Sequence, residues 1–202
     1  MTRLFAALQY GEQLAHDCAL RQRHWIDGSR AQRFLLVQAR QEAAHAAFYG
    51  RAAEWLLPRH RYRAPQTLQQ YGSRLQRALD NNDLCDSLTG SQIVLEGFGE
   101  QIILRLNRGM DNQGIGFAQL RQLVLRQEQS HFAFGQRMLE PQAASEPAVG
   151  ERIQLLAADF LYQVNLIVDE MTDVFVVLDE DPAEFRSGLL ESLPVWIRGS
   201  RA

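Results

Sequence analysis

Lysine is absent from this chain: all 21 basic side chains are arginine. Chemistry through a lysine Schiff base is therefore excluded. Cysteine is scarce, and Cys18 and Cys85 stand far apart. That spacing fits neither a zinc site nor an iron–sulfur site, and both read as free thiols in a reducing compartment. Proline and glycine, with 6 and 14 residues, gather at a few candidate breaks. Neither sign of charge dominates, since the net charge is −3, which points to no nucleic-acid or polyanion partner. Long apolar runs are missing too. The best, from Val174 to Leu178, is far shorter than a membrane span and is flanked by acids. Arg3 is followed by mixed polar and apolar residues rather than a signal-peptide core, so the expected location is cytoplasmic.

What the chain has is helix. Leu, Ala, Gln, Glu and Arg dominate, and strand-like alternation is missing. Apolar residues at 46% and charged residues at 22% suit a globular protein, and 202 residues suit one domain spanning 1–202. Break signals predict a helix over 2–25, a turn at Asp27-Gly28-Ser29, and a second helix over 29–57 ended by Pro58. A basic loop between Pro58 and Pro65 leads to a crossover helix over 65–80. Further helices are predicted over 84–108, 117–139 and 151–178, with a glycine-containing turn at 109–116 and a loose loop at 140–150. Asp181-Pro182 opens a last short helix.

One short motif occurs twice: Glu42-Ala-Ala-His45 and Glu128-Gln-Ser-His131. Three-residue spacing puts the carboxylate and the imidazole on one helix face, a turn apart. Such a pair from each of two helices, with one Glu from each of two others, is the ligand set of carboxylate-bridged di-metal bundles. Glu12 and Glu96 are the candidates for the other two carboxylates.

Their positions along the chain fit. Glu12 and Glu42 lie 30 residues apart, with Asp27 of the predicted turn midway. The chain rises roughly 22 Å from Glu12 to the turn and descends as far to Glu42, so the two sit level on antiparallel neighbours. Glu96 and Glu128 lie 32 apart about Asn112, also in a predicted turn. Apolar residues share each face: Phe5, Leu8, Ala15 and Ala19 with Glu12; Leu35, Ala39, Ala46 and Tyr49 with Glu42 and His45. Ile93 and Ile103 flank Glu96, while Val124, Leu125, Phe132 and Gly135 flank Glu128 and His131. A carboxylate on an apolar face needs compensation. Two divalent ions would provide it, and carboxylate with imidazole suits iron, or manganese as the alternative. The expected fold is an all-α, ferritin-like four-helix bundle with accessory helices.

Other polar residues receive blander readings. Glu100, one turn from Glu96, is the alternative ligand to it but is read, like Asp17, as a neighbour of the site or a solvated group, and His16 as a satisfied or partly exposed histidine rather than a ligand. His24 and His60 are read as surface residues, and Asp159, Asp169, Glu170 and Asp173 as mostly solvated. Tyr10, Tyr49 and Tyr162 are read as core packing rather than as radical or gating groups. Phe160, Leu161, Val164, Ile167, Val168 and Met171 are core by spacing, with a substrate channel as the alternative.

Several segments resemble one family. Gly11-Glu12-Gln13 with Ala15-His16-Asp17 is similar to the first-helix motif of cyanobacterial aldehyde-deformylating oxygenases. Glu42-x-x-His45-x-x-Phe48, Leu95-Glu96-Gly97-Phe98 and Glu128-x-x-His131-x-x-Phe134-Gly135 resemble its later ligand segments. The likeness covers about residues 5–140. Gly97 stands where that family has a cysteine, and the sixth-helix region does not match. The resemblance implies iron ligands at Glu12, Glu42, His45, Glu96, Glu128 and His131, with Glu42 and Glu128 bridging. It implies an oxygen-dependent di-iron enzyme that converts a long-chain aldehyde, or another small apolar substrate, with electrons from a ferredoxin-type donor. The alternatives are a ferroxidase or iron-storage protein, and an RNA-modifying di-iron hydroxylase using the Arg59, Arg61 and Arg63 cluster. A bundle that has lost its metal and serves as a binding module is the remaining reading.

Overall fold

The computed structural model describes residues 1–58, 63–112 and 118–198, with the backbone alone at 109–112. Among them there are helices and no strand. Helix α1 spans Thr2–Gln22 and α2 spans Ser29–Leu56. Gly28 takes φ 93° at their junction, a conformation that glycine alone adopts without strain. Pro58 follows the end of α2. Helix α3, Gln66–Asp80, starts after Pro65. Its free N-terminus is capped from outside: the Glu170 carboxylate accepts hydrogen bonds from the Gln66 N–H, the Thr67 N–H and the Thr67 hydroxyl, at 3.0, 2.9 and 2.7 Å. The expectation that Glu170 is solvated is corrected accordingly.

The predicted helix over 84–108 is a rod of three parts. Helix α4, Leu84–Leu88, is capped by the Asp83 side chain. A fully buried π segment, Thr89–Leu95, follows, and α5, Glu96–Asn112, continues from it. The altered hydrogen-bond ladder is supported from the side: the Tyr71 hydroxyl donates to the Gly90 carbonyl at 2.7 Å, and Thr89 and Ser91 donate to Cys85 O and Ser87 O. Gly90 lies flat against the Phe160 ring and Leu75.

Several expected boundaries are corrected. Helix α6 runs Ala118–Ser145 straight through the predicted 140–150 loop, with Pro141 inside it. Helix α7 starts at once, Pro147–Glu170, with proline in its first turn, where its missing N–H costs nothing. The single helix expected over 151–178 breaks at Met171, and α8 is Thr172–Leu178. Helix α9, Pro182–Ser192, has the expected start, with Asp181 accepting from Ala183 N at 2.8 Å, and α10, Val195–Arg198, follows. The first half of the expected 109–116 turn is corrected to helix, since α5 extends through Asn112, and 113–116 lie outside the described residues.

The antiparallel pair α1 and α2 packs against the pair α5 and α6, while α3 and α7–α10 wrap the bundle. Small residues such as Ala15, Ala19, Ala39 and Ala46 are buried on α1 and α2 and allow close approach. Phe160, Val164, Ile167 and Val168 of α7 are buried as core. Tyr49 is buried and Tyr10 partly so, but Tyr162 is 62% exposed, so core packing does not describe it. No helix among the described residues is long and apolar enough to cross a membrane.

The π segment meets α6 at Gly135, where an added Cβ would sit 2.6 Å from Gln92 Cβ and 3.1 Å from its backbone. Gly135→Ala should therefore destabilise the fold by about 1–3 kcal/mol as overpacking, read from chemical denaturation; an unchanged midpoint would show that the helices part freely there.

Candidate metal centre

The six candidate side chains converge. Glu12 comes from α1, Glu42 and His45 from α2, Glu96 from the first position of α5, and Glu128 and His131 from α6. All are buried, with exposures from 0% at Glu42 to 7% at Glu12. They form two groups whose ligand atoms lie within 4.8 Å of one another: Glu12, Glu42, His45 and Glu128, and then Glu42, Glu96 and His131. Glu42 belongs to both groups, whereas Glu128 belongs to the first alone.

Each imidazole turns Nδ1 inward. His45 Nδ1 lies 3.1 Å from Glu42, 3.2 Å from Glu128 and 3.5 Å from Glu12. His131 Nδ1 lies 2.8 Å from Glu42 and 3.5 Å from Glu96. Each Nε2 points outward to a glutamine amide oxygen: His45 to Gln127 and His131 to Gln41, both at 2.9 Å. The arrangement is crossed, because each glutamine directly precedes the motif glutamate of the opposite helix. Each amide oxygen accepts the Nε2–H, which leaves Nδ1 as the lone-pair donor.

A buried amide chain supports the carboxylates. Gln38 Nε2 donates to Glu96 at 2.8 Å and to Glu42 at 3.2 Å, holding the second group together. Gln92 donates to Gln38 Oε1 at 3.0 Å, and Gln22 donates to Ser91 at 2.8 Å. Through Gln92 and Ser91 the π segment is tied to the site.

Electrostatics register the crowding. Burial, then the charges of Glu128 and Glu42, push the Glu12 carboxyl well above its ordinary range. Burial, then Glu42, does the same to Glu96. Burial would also raise Glu42, but the adjoining His131 and His45 imidazoles hold it low. Burial disfavours both imidazolium ions, yet the carboxylates outweigh it. Glu12, Glu128 and Glu42 raise His45, while Glu42 and Glu96 push His131 up to about 11.

The donor set fits a pair of divalent cations. Four carboxylates would balance their charge, the imidazoles would bind neutral, and no thiolate takes part; Cys18 is buried elsewhere in the core. Glu128 Oε1 and His131 Nδ1 are buried without a hydrogen-bond partner, each facing the cluster.

The remaining candidates fall outside the cluster. His16 Nδ1 lies 2.7 Å from the Ala39 carbonyl, the satisfied histidine expected. Glu100 is partly exposed and accepts from Gln129. Arg59, His60 and Arg61 lie outside the described residues, and Arg63 is exposed. Sequence reasoning missed Gln38, Gln41, Gln92 and Gln127. For Gln41 and Gln127 the signal was present, because the repeated motif is Gln-Glu-x-x-His, one residue longer than the four that drew attention.

A narrow apolar cavity meets the carboxylate side of the cluster. Its wall includes Glu12, Glu96 and Glu128, with Leu8, Phe98, Ile167, Val168, Met171 and Phe175. Thus part of α7 lines a cavity, as the channel alternative had it, while Phe160 and Val164 serve the core. Two helix glycines keep the space open. A Cβ at Gly11 would meet nothing within 4 Å, and one at Gly99 would meet only Glu128 Oε2, at 3.7 Å.

Fold and cluster together define an all-α bundle of the ferritin-like type, with buried Glu/His groups able to hold metal. Among solved structures, a protein with aldehyde deformylating oxidase activity from Synechococcus superposes with a TM-score of 0.76 at 17% identity, over 94% of this chain and 84% of that one. At that identity the likeness speaks for the fold. No protein-family model and no curated protein sequence matches the chain.

Two outcomes follow from this geometry. Gln41→Leu and Gln127→Leu should each weaken metal affinity by about 10–100-fold, read by competition with a chelator, with little change in thermal stability. Protons held by Glu12, Glu96, His45 and His131 in the metal-free protein must leave as metal enters. Affinity should therefore rise with pH across about pH 6–8, with proton release seen by calorimetry in two buffers; pH-independent affinity would refute that assignment.

Proposed function

We propose that this chain is a non-haem di-iron oxidase or oxygenase that uses O2 on a small apolar substrate, with a long-chain aldehyde as the leading candidate. The observation that carries the reading is the coincidence of a six-ligand Glu/His cluster with an apolar cavity against its carboxylate side. A ferroxidase could use the same side chains, but it needs no apolar chamber at its metals. The resemblance of the sequence motifs and the likeness in fold to a deformylating oxidase both support the organic substrate.

In this reading Glu12, Glu42, His45, Glu96, Glu128 and His131 would hold the two irons. The two ions, when bound, supply the oxygen and redox chemistry. The protein supplies the setting. Gln41 and Gln127 fix the imidazole tautomers, and Gln38 fixes the separation of Glu42 and Glu96. Leu8, Phe98, Val168 and Met171 exclude water and align an apolar chain with its polar end toward Glu12, Glu96 and Glu128. A raised Glu12 carboxyl at the cavity wall can hold a proton where a leaving group or product would need one. An electron donor, such as a ferredoxin-type protein, would restore the reduced state.

The test begins with protein grown on iron. About two irons per chain are expected, with oxygen uptake by the reduced protein accelerated by long-chain aldehydes and formate released. Gly11→Leu should fill the cavity, keep the iron and the fold, and cut turnover of long substrates at least ~10-fold while sparing shorter ones. Iron oxidation equally fast without any organic compound would favour the ferroxidase, and a chain that binds no iron would sink both.

A further inference from the structure

The cluster has a second approach, on its histidine side. A groove of about 410 Å³ runs between α2 and α6, and its floor includes His45, Gln41 and Gln127. Its walls are apolar yet open to water: Val37, Phe48, Leu120 and Leu123 are 50%, 49%, 41% and 45% exposed. These four side chains line one groove and offer a partner apolar contact there.

The patch is bordered by cations. Arg30, Arg33, Arg40 and Arg51 recur at three-, seven- and eleven-residue steps on α2, on the stripe that carries Val37 and Phe48. Arg40 itself lines the groove, and Arg126 and Arg137 stand exposed on the outer side of α6. None of these arginines forms an ion pair among the described residues, whereas Arg3, Arg74, Arg105, Arg152 and Arg186 all do. The exposed acids of the two helices are Glu54 and Glu140 alone. The wrapping layer has the opposite character: over residues 147–198 acids recur throughout, and the cations are Arg152, Arg186 and Arg198. In a chain of net charge −3, six arginines thus stand without an ion pair among the described residues on the two helices that form the groove.

We infer that the α2–α6 groove is the docking surface for a small acidic electron-transfer protein. The inference rests on the redox reading above and deepens it by giving the donor a place. Positive charge around the groove would steer an acidic partner to it, and the apolar residues would hold the complex once water is expelled. The groove is also the short way in. A candidate iron ligand, His45, lies in its floor, with Nε2–H donating to the Gln127 amide oxygen there. Electron transfer falls steeply with distance, so a partner seated there is well placed. Two one-electron donors are oxidised as two ferric ions become ferrous. The substrate cavity on the carboxylate side stays clear of the partner.

The probe is a small acidic [2Fe–2S] protein, and the readouts are its binding to the metal-free chain by calorimetry and its rate of reducing the iron-loaded chain. Arg40→Glu should weaken binding at least ~10-fold and slow reduction in proportion, while Arg198→Glu, with the same change in net charge, should do neither. Binding should fall with salt. Reduction of both variants by a small neutral mediator should match the unaltered protein, which separates docking from the iron site. Equal effects of Arg40→Glu and Arg198→Glu would overturn the assignment, because only overall charge would then matter. It would equally fail if the probe did not bind while Phe48→Ser abolished self-association or adsorption to vesicles of anionic phospholipid. Salt-sensitive binding lost in Arg40→Glu, in a chain that takes up no iron, would leave the docking surface assigned and sink the redox reading.

Discussion

Burying four carboxylates in the middle of a helical bundle is the constraint on which the rest depends. Any one of Glu12, Glu42, Glu96 and Glu128, placed alone in such a core, would be expelled or neutralised. Together they persist because the chain surrounds them with compensating groups: two imidazoles aimed inward and an amide, Gln38, spanning two of the carboxylates. Protein donors alone leave Glu128 Oε1 and His131 Nδ1 without partners. A pair of cations in the proposed reading completes the balance. The level placement of the four helices, the turn at Gly28 and the close packing of small residues on α1 and α2 all serve to bring these groups together.

The two sides of the cluster differ in kind, and the difference follows from which side chains face where. Carboxylates face a mainly apolar cavity walled by α7, α8 and α9, where Gly11 and Gly99 leave room unfilled. Histidines face a wide groove floored by glutamines and bordered by arginines. An apolar substrate and a charged macromolecular partner would thus approach from different directions without competing for space.

Much of this was legible in the sequence because it rests on regular helix geometry. The doubled motif, with Asp27 and Asn112 midway between the paired glutamates, places the six side chains at one level whenever the segments are straight helices. Glu12, Glu42, His45, Glu96, Glu128 and His131 do come together in the structure. The misses arise where tertiary contacts override local signals. Pro141 looked like a break, yet α6 passes through it and ends only before Pro147. Glu170 looked solvated, yet it closes the start of a helix distant in sequence. Met171 carries no break signal of its own, and the chain bends there. The amide chain through Gln22, Gln92 and Gln38 was invisible because single glutamines on helices are too common to stand out; only their meeting across three helices gives them a role.

The π segment carries one further meaning. An α-helix advances about 100° per residue, and a π turn accommodates roughly one residue more than an α turn does. The rod from Leu84 to Asn112 therefore contains a swivel. Before it, α4 packs against α1 and α3; after it, Glu96 meets Gln38 of α2 and α5 packs along α6. The accommodated residue acts as a phase shifter between the scaffold and the chemistry, so that the wrapping helices can drift in sequence without rotating Glu96 out of its cluster.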